Sequence, residues 1–402
     1  MSPVTQARQT TGARRRATLR EVAALAGVSP TTASLVLNGR PIRVPDATRA
    51  RVVAAAAELH YVPNALVRSL QAGHTGTVGV YIEFRASVWH NAFVGALVDG
   101  LRRGAADADS DVLLYRPPGG RDPSGPSNTS AGAAPAVPSV AAGASAILDG
   151  RADAAVLWVA NDQPLEALAR QGFPAVVLMN DRVPASLGSV LTDERMASRL
   201  LLDHLLQLGH RHLAYWAASG ATLSPHLRIR RARFLAVARE VGVPLPAERV
   251  LAGPPAEAAN LLLRQTAAGA PGHVTAIVCA FEELAYRLLD AAARAGLRVP
   301  QDLSIVSWEV VGGEGEAAHG TGNSGDPAPS DRATSRPGSW FTGVHLPIWE
   351  MGKAAAELAV AMSHKRIPSG ARRQTFPTSL QIGRSTGPCH GSVGDEGESG
   401  TW

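Results

Sequence analysis

Four short polar side chains in the stretch TTASLVLN can hydrogen-bond to nucleic acid. They are Thr31, Thr32, Ser34 and Asn38. Their hydroxyl and amide groups suit phosphate oxygens and the edges of bases. Ala33, Val36 and Leu37 recur at helical spacing, so the polar and apolar groups fall on different faces of one predicted helix. Such a helix fits the major groove of DNA, although a helix that only packs on a small neighbour would show the same pattern.

A helix-turn-helix over TLREVAALAGVSPTTASLVLNG would position these side chains. Thr18 and Glu21 form the T-x-x-E capping box that marks a helix start. The next apolar residues form one stripe at i, i+3, i+4 and i+7: Leu19, Val22, Ala23 and Ala26. Gly27 ends this first helix, and Ser29 followed by Pro30 begins the second. Two short helices joined by a tight turn that contains glycine are typical of the helix-turn-helix.

Charge is concentrated at the N-terminal end of the chain. Residues 1–74 hold ten arginines against three acidic residues, a net charge of +7, whereas the whole chain carries +5 and the remainder therefore −2. A basic segment on a slightly acidic body is typical of nucleic-acid binding. The run Arg14-Arg15-Arg16 taken alone fits a disordered basic tail equally well.

Length and composition narrow the class of protein. The 402 residues, 45% hydrophobic and 18% charged, suit two or three globular domains. No apolar run approaches the roughly 20 residues that span a bilayer, and the polar, basic N-terminal stretch lacks the features of a signal peptide. We therefore expect a cytoplasmic protein without membrane contact. Cys279 and Cys389, the only cysteines, are too few for a disulfide framework or a cysteine-ligated metal site.

The stretch from Thr18 to Gly73 closely resembles the DNA-binding head of the LacI/GalR family of bacterial repressors. The match continues beyond the helix-turn-helix through TRARVVAAAAELHYVPNALVRSLQAG. It implies a third helix over Thr48–Leu59, with Val52, Ala56 and Leu59 turned inward. It also implies a hinge helix over 63–74, after Tyr61-Val62-Pro63-Asn64.

The resemblance also implies roles for individual residues on a double-stranded DNA operator. Base-facing positions are Pro30, Thr31 and Leu35, and positions near phosphates are Ser29, Thr32, Ser34 and Asn38, with Thr18 anchoring the first helix. Leu35 stands where the family most often has arginine, so it offers apolar contact to a thymine methyl instead of reading guanine. Asn64 begins the hinge helix, and Leu70 would be a wedge in the minor groove. Leu66 and Leu70, four residues apart, can alternatively be one packing face.

From Thr77 onward, short apolar strands alternate with amphipathic helices. The predicted strands are Thr77–Ile82, Asp111–Tyr115, Ala154–Val159, Ala175–Met179, His212–Trp216, Thr275–Cys279 and Leu303–Trp308. The predicted helices are Asn91–Ala106, Met196–Leu208, Arg230–Val241 and Glu282–Ala295. This alternation predicts parallel sheets with right-handed crossovers. The resemblance implies the same fold: an all-α helix-turn-helix head followed by a bilobed α/β body like a periplasmic binding protein, with two parallel-sheet lobes.

In this family, effectors bind between the two lobes, and most are sugars or nucleobase-like metabolites. By resemblance, the candidate contacts here are Asp181, Arg230 and Glu309, with Arg228, Phe93, Trp308 and Phe281 as further candidates. Carboxylates paired with arginine suit a polyol or a small anion. The chain departs from the family where Phe281 replaces an amide, where Ser307-Trp308-Glu309-Val310 replaces Gly-Phe/Tyr-Asp-Asp, and where Arg233 replaces glycine. These departures favour a more apolar pocket than a simple sugar site. Such a pocket suits an aryl-bearing ligand, and the loss of any effector is the alternative.

We divide the chain into five parts. These are a basic disordered tail (1–17), a helix-turn-helix domain (18–62), the hinge helix (63–74), a bilobed effector-binding and dimerisation domain (75–388) and a disordered tail (389–402). Two segments rich in Gly, Pro and Ser, 117–143 and 312–339, have the composition of flexible loops within the body. They suit either a lid over the cleft or solvated insertions.

No catalytic, cofactor or metal-binding set is evident in the sequence. His204, His210 and His212 lie at a helix end, where the family has structural residues, and no P-loop, G-x-S-x-G or strand-linked G-x-G-x-x-G occurs. We expect a homodimeric, sequence-specific transcription regulator, a repressor, whose affinity for a near-palindromic operator is modulated by a sugar-like effector. The alternatives are a regulator of this family without effector control, a solute-binding module and, least supported, an enzyme.

Overall fold

The structure is a computed structural model that describes residues 16–39, 41–82, 92–115, 146–159, 162–217, 224–252, 273–310 and 340–389. The chain divides into two compact units, Met1–Thr75 and Gly76–Trp402, called here the head and the body. The segments 117–143 and 312–339, most of the basic tail and residues 390–402 lie outside the described residues.

The head contains four helices. They are α1 (Leu19–Ala26), α2 (Pro30–Leu37), α3 (Asp46–Glu58) and α4 (Ala65–Ala72). The first three bury one small core made of Val22, Ala23, Ala26, Ala33, Val36, Val52, Ala55 and Ala56. Alanines dominate this core, so the helices approach closely, and both predicted apolar stripes are directed inward.

The predicted signals for the ends of α1 and α2 are all present. The Thr18 side chain accepts a hydrogen bond from the Glu21 backbone N–H, and the Glu21 carboxylate accepts one from the Thr18 N–H at 2.8 Å. Gly27 follows with φ 63°, a left-handed conformation that glycine adopts without a steric penalty. Ser29 caps α2 through the Thr32 N–H at 3.0 Å, with Pro30 at the first helical position.

The helix α4 buries none of its residues. Asn64 caps it by accepting a hydrogen bond from the Leu66 N–H at 2.9 Å, and Gly73 ends it with φ 75°. Its apolar side chains, Leu66, Val67 and Leu70, are exposed, as is the preceding Val62. Eight residues without packing are too few for a stable isolated helix, so α4 needs contacts from outside the head.

The first lobe of the body is built on a six-stranded, all-parallel sheet with the order β11-β5-β4-β3-β1-β2. Its strands are β1 (Thr77–Ile82), β2 (Asp111–Tyr115), β3 (Ala154–Trp158), β4 (Ala175–Leu178), β5 (Gly188–Thr192) and β11 (Arg373–Phe376). Its helices are α5 (Ala92–Asp107), α6 (Gln163–Arg170) and α10 (Ile348–Ser363). The contact between α5 and α10 is very close, since a Cβ built on Gly100 would lie 2.0 Å from the Trp349 carbonyl oxygen.

The second lobe has a six-stranded sheet with the order β12-β10-β9-β8-β6-β7, parallel except for the β10–β12 pair. Its strands are β6 (Leu213–Ala217), β7 (Val250–Ala252), β8 (Ala276–Cys279), β9 (Ser304–Val310), β10 (Thr342–His345) and β12 (Ser379–Gln381). Its helices are α7 (Glu194–Gln207), α8 (Pro225–Glu240) and α9 (Glu282–Arg294). Among the described elements, the chain crosses between the lobes after β5, after β10 and after β11.

The predicted fold class is confirmed, with differences in detail. The seven predicted strands and four predicted body helices all occur, with ends shifted by a few residues. The helix predicted to begin at Arg230 begins instead at Pro225, which adds more than one turn. Seven elements were not predicted from the sequence: β5, β7, β10, β11, β12, α6 and α10. Several of these strands are only three or four residues long, and RQTF and SLQ contain no apolar run.

Candidate DNA-binding surface and interlobe site

The α2 helix presents most of the predicted DNA contacts on its outer side. Ser29, Pro30 and Thr31 are exposed, and Thr32, Ser34, Leu35 and Asn38 are half-buried. Because Ala33 and Val36 occupy the head core, the remaining side chains point away from it. The predicted contacts therefore share a surface, and Leu35 is only partly covered by the core.

Some of these polar groups already take part in local hydrogen bonds. Ser29 Oγ and Thr32 Oγ1 lie 2.9 Å apart, and Asn38 Nδ2 donates to Ser34 Oγ at 3.2 Å. Asn38 Oδ1 is buried, with no partner among the residues that the structure describes. These bonds fix the side chains in defined orientations, while Thr31 extends from the start of the helix toward solvent.

The predicted minor-groove wedge lies on the helix that buries nothing. Leu70 is 87% exposed and Leu66 79% exposed, both on α4. Within the described head, no core residue covers either side chain, so they form an apolar face directed to solvent. An exposed leucine pair on a short helix is available to insert into DNA or to pack on a second copy of the helix.

In the body, Arg230 lies in a buried cluster of charges. It is 0% exposed, and its Nη1 donates to the Ala280 carbonyl oxygen at 2.6 Å and to Glu309 Oε2 at 3.1 Å. Glu194 Oε2 lies 3.6 Å from Arg230 Nε and completes the ion pairing from the start of α7. Arg230 Nη2 is buried and makes no hydrogen bond within the described structure.

The two carboxylates hold this arginine in its charged form. Burial alone would lower the pKa of Arg230, but the charges of Glu194 and Glu309 outweigh it and raise the pKa above its ordinary value. Burial raises the pKa of Glu309 despite the neighbouring guanidinium. Two acids around one buried base make a compact polar centre whose charges compensate one another.

Trp308 belongs to the core of the second lobe and not, as the resemblance implied, to the wall of an open pocket. It is 0% exposed and packs edge-on against Tyr215 and Phe234. Its indole N–H donates to Glu194 Oε2 at 2.9 Å, so Trp308 orients a carboxylate of the Arg230 cluster. The large apolar ring is fully enclosed because β9 is a central strand, covered on both faces.

The first half of α8 also contacts the first lobe. Trp158, at the end of β3, donates its indole N–H to His226 Nδ1 at 3.5 Å, and the two rings lie 5.5 Å apart. Phe93 packs on the other side of Trp158 with ring centroids 5.6 Å apart, and it is buried. Burial, with the charge of Arg230, lowers the pKa of His226 to about 3 and keeps the ring neutral.

Asp181 and Arg228 lie in the same region, apart from the Arg230 cluster. Arg228 Nη2 donates to Asp162 Oδ2 at 3.0 Å, and Asp162 Oδ1 accepts from Asn180 at 2.7 Å. Asp181 Oδ2 lies 3.7 Å from Arg233 Nη2. Phe281, the remaining candidate, is half-buried at the N-cap of α9. Six of the seven candidates thus fall into a buried cluster (Arg230, Glu309 and Trp308), an aromatic contact (Phe93) or a charged rim (Asp181 and Arg228), and Phe281 belongs to none of these groups.

A cavity of about 390 Å³ lies between residues 180–182 and the side of α8 that carries Arg228 and Arg233. Its walls are formed by Asn180, Asp181, Arg182, Arg228, Ile229, Arg231, Ala232 and Arg233. A second cavity of similar size adjoins it, with Glu194, His226 and Thr375 among its lining residues. Both volumes lie in the range of small-ligand sites. Both also combine residues of the two lobes, as expected of an effector cleft.

Sequence reasoning missed several residues of this region. Glu194, His226, Trp158 and Asp162 were not singled out, nor was the role of Arg182 in the cavity wall. The pair Ser224-Pro225 carries the same start signal as Ser29-Pro30 and would have placed His226 and Arg228 in the first turn of α8. No local signal marks Glu194 as part of this cluster, because Arg230 and Trp308 lie more than thirty residues away along the chain.

The histidines noted in the sequence have structural partners. His204 Nε2 lies 3.0 Å from Thr386 Oγ1, and His210 bonds Thr275 Oγ1 and the Gly387 carbonyl oxygen through its two ring nitrogens. Within the described ranges, no group of three His, Cys, Asp or Glu side chains is arranged to hold a metal ion. None of the described helices has the length and hydrophobicity that a bilayer crossing requires.

Comparisons with known proteins agree with this architecture. Residues 18–64 match the family of bacterial regulatory proteins of the lacI type, and residues 202–314 match the periplasmic binding protein-like domain. The chain is 26% identical to the transcriptional regulator GalR of Escherichia coli over 353 residues, which cover 87% of this chain and 90% of GalR. It is 25% identical to the E. coli ribose operon repressor, over 73% of this chain and 83% of that protein.

Solved structures confirm the fold. A lac repressor dimer bound to operator and an anti-inducer superposes with a TM-score of 0.69 at 22% identity, covering 93% of this chain and all of that chain. A helix-turn-helix head joined to a two-lobed α/β body defines a class of bacterial transcription regulators. Within that class, residues 18–64 match the lacI family, and the chain as a whole is similar to LacI/GalR regulators such as GalR.

Proposed function

We propose that the protein is a homodimeric transcriptional repressor that binds a near-palindromic DNA operator and changes its DNA affinity when a small molecule binds between the lobes. The observation that carries this proposal is the head: a capped helix-turn-helix with Ser29, Pro30 and Thr31 exposed at the start of α2. The match of residues 18–64 to the lacI family supports it.

Each protomer would place α2 in one half-site. In this proposal Pro30, Thr31 and Leu35 face bases, while Ser29, Thr32, Ser34 and Asn38 position the helix on phosphates, with Thr18 at the start of α1 doing the same. The net charge of +7 on residues 1–74 supplies the sequence-independent attraction to DNA. Specificity then rests on the few base-facing side chains.

The dimer follows from the hinge helix. Because α4 buries nothing within the head, it gains most from packing on a second α4 over the centre of the operator. Asn64 begins that helix and Leu70 would enter the minor groove between two base steps. A homodimer with two-fold symmetry requires an operator of near-palindromic sequence.

The effector site proposed here lies around α8. Arg230 with Glu309, and Asp181 with Arg228, supply charged and hydrogen-bonding groups. Phe93 and Phe281 are the aromatic candidates, and Trp308 acts from the core by orienting Glu194. Such a set suits a sugar, a related metabolite or a small anion. We also propose that the protein acts in the cytoplasm, where its DNA target lies, and without catalysis, since its relatives are transcription regulators.

Footprinting tests the proposal directly. The purified full-length protein would be footprinted on the DNA that flanks its own gene, at physiological ionic strength, and again with a panel of candidate metabolites. We expect protection of one or more near-palindromic sites and a change in protection with at least one metabolite. If the protein preferred no site over random duplex, the proposal would be wrong.

A regulator without effector control is a second candidate, and one observation favours it. The Arg230 guanidinium is already paired with Glu194 and Glu309, so the buried charge is compensated without a ligand. In that case footprints would be equally strong with every metabolite in the panel. The two candidates share the same DNA-binding head and differ only in this response.

A further inference from the structure

The cavity between Asn180–Arg182 and α8 has an excess of positive charge. Four arginines and one aspartate are among its lining residues: Arg182, Arg228, Arg231, Arg233 and Asp181. Arg228 is paired with Asp162, and Arg233 lies near Asp181. Arg182, which is exposed, and Arg231, which is half-buried, line the cavity and have no ion-pair partner within the described part of the chain.

The two uncompensated arginines come from different lobes. Arg182 follows β4 in the first lobe, and Arg231 lies on α8 in the second. Like charges on opposite walls repel, and the repulsion grows as the walls approach. An oxyanion between them would replace that repulsion with two charge-assisted hydrogen-bonded contacts, because each guanidinium offers a planar fork of N–H donors that fits phosphate and carboxylate.

This cavity wall is separate from the buried Arg230 cluster. On α8, Leu227, Arg230, Phe234 and Val237 face the interior of the second lobe, which fixes Arg230 toward Ala280 and Glu309. Arg228 and Arg231 lie on the other side of the helix, toward Asn180–Arg182. The two sides of the helix therefore differ: Arg230 is paired with two buried carboxylates, whereas Arg231 on the cavity side has no ion-pair partner among the described residues.

We propose that the cavity binds the phosphate or carboxylate group of a small metabolite through Arg182 and Arg231, and that the bound anion draws the two lobes together. The regulatory half of this inference rests on the proposed function, since a change in lobe arrangement matters only if it alters operator binding. The cavity volume of about 390 Å³ admits a ligand of metabolite size around the anionic group.

Calorimetric titration of the full-length protein with inorganic phosphate and, separately, with acetate tests the anion site. Sodium chloride holds the ionic strength constant in both titrations. We expect saturable binding of at least one of the two anions. Arg182→Gln and Arg231→Gln should each weaken that binding roughly tenfold, since each removes a charge-assisted contact. Arg287→Gln is the matched control, because Arg287 is an exposed arginine paired with Glu283 on α9. The anion affinity of this variant should equal that of the wild type.

The two anions also distinguish the chemistry of the ligand. Stronger binding of phosphate assigns the site to a phosphorylated metabolite, and stronger binding of acetate assigns it to a carboxylic acid. Absence of binding by both anions would overturn the inference. Equal affinity in the wild type and in the Arg182 and Arg231 variants would do the same, because the anion would then bind elsewhere.

Operator binding is measured in parallel, on footprinted DNA with and without the saturating anion at equal ionic strength. A changed operator affinity in the wild type, lost in the Arg231→Gln variant, supports the regulatory half of the inference, and an unchanged affinity overturns it. Specific DNA binding without anion binding would leave the proposed function intact while this inference fails. Anion binding by a protein that prefers no operator would support the anion site and contradict the proposed function.

Discussion

Arg230 and Glu309 form an ion pair of 3.1 Å between Nη1 and Oε2, within a site from which solvent is fully excluded at the arginine. Glu194 approaches the same guanidinium from α7, at 3.6 Å. The Arg230 side chain thereby joins α8 to strand β9, which carries Glu309, and to the start of α7, which carries Glu194. The cluster is both the main polar feature of the second lobe core and part of the proposed effector site.

Replacing Arg230 with alanine should destabilise the protein strongly. The change leaves Glu194 and Glu309 buried without their cation, which typically costs about 3–5 kcal/mol of unfolding free energy. Arg228→Ala is the matched control on the same helix, since its pair with Asp162 is partly exposed and contributes roughly 0–1 kcal/mol. Urea unfolding of both variants measures the difference. Equal losses of unfolding free energy in the two variants would show that the buried ion pairs of Arg230 contribute no more to stability than the partly exposed pair of Arg228.

The close contact between α5 and α10 leaves no room for a side chain at Gly100. Gly100→Ala should destabilise the first lobe by roughly 1–3 kcal/mol, because the new methyl group would meet the Trp349 carbonyl oxygen. Gly95→Ala on the same helix is the control, since nothing lies within 4 Å of a Cβ there and alanine favours helix by up to about 1 kcal/mol. Thermal unfolding compares them, and a stabilised Gly100→Ala variant would contradict the described packing.

Acid should destabilise the body through His204, His210 and His226, which are buried or half-buried. His226 has a pKa of about 3 in the folded protein and about 6.5 when unfolded, so the unfolded state takes up the proton first as pH falls. The stability contribution is complete above pH 6.5 and declines between pH 6.5 and 3, by at most about 1.4 kcal/mol per pH unit for one proton. His204 and His210, whose pKa values burial also lowers, act in the same direction.

The variant His226→Gln isolates the contribution of that histidine. Its unfolding free energy should fall less steeply between pH 6.5 and 4 than that of the wild type, measured by urea titration at a series of pH values. Identical pH profiles would show that His226 is protonated equally in the folded and unfolded states.

Removing the exposed leucine of the hinge helix should separate specific from nonspecific DNA binding. Leu70→Ala should weaken binding to the footprinted operator by an order of magnitude or more, because the wedge between base steps is lost. Binding to random duplex, which depends on the arginines, should stay the same. Gel-shift titration on both DNAs tests this, and an equal loss on both would remove Leu70 from the minor groove.

Leu35 offers a test of the base-facing surface. The half-buried side chain lies on α2 beside the exposed residues, so Leu35→Arg should place a guanidinium in the major groove. Selection from randomised DNA should then yield operators with an added guanine in each half-site, worth roughly 1–3 kcal/mol of discrimination. An unchanged selection profile would mean that Leu35 faces away from the bases.

Local signals predicted the head well. Thr18, Gly27, Ser29 and Pro30 act through neighbours no more than four residues away, so the printed sequence contains the whole interaction. Burial on α3 was less clear, since Ala55 was missed while Val52 and Ala56 were identified. In an alanine-rich helix, small residues occupy both faces and the apolar stripe has little contrast.

The body shows where local signals end. The buried apolar strands were found, but β11 and β12 are polar edge strands whose position depends on pairing with partners far along the chain. The helix α10 is rich in alanine and buried along most of its length, which hides its amphipathic period. Glu194 joins the Arg230 cluster through the lobe fold alone, and no spacing in the sequence marks that contact.

The route of the chain between the lobes has a consequence for synthesis on the ribosome. The first lobe is incomplete until α10 covers its sheet and β11 pairs with β5, and the second until β12 pairs with β10. Both therefore wait until residues 348–381 have been synthesised. The head, complete by residue 75, can fold much earlier, so a nascent chain would present a finished DNA-binding module before it has any domain able to respond to a metabolite.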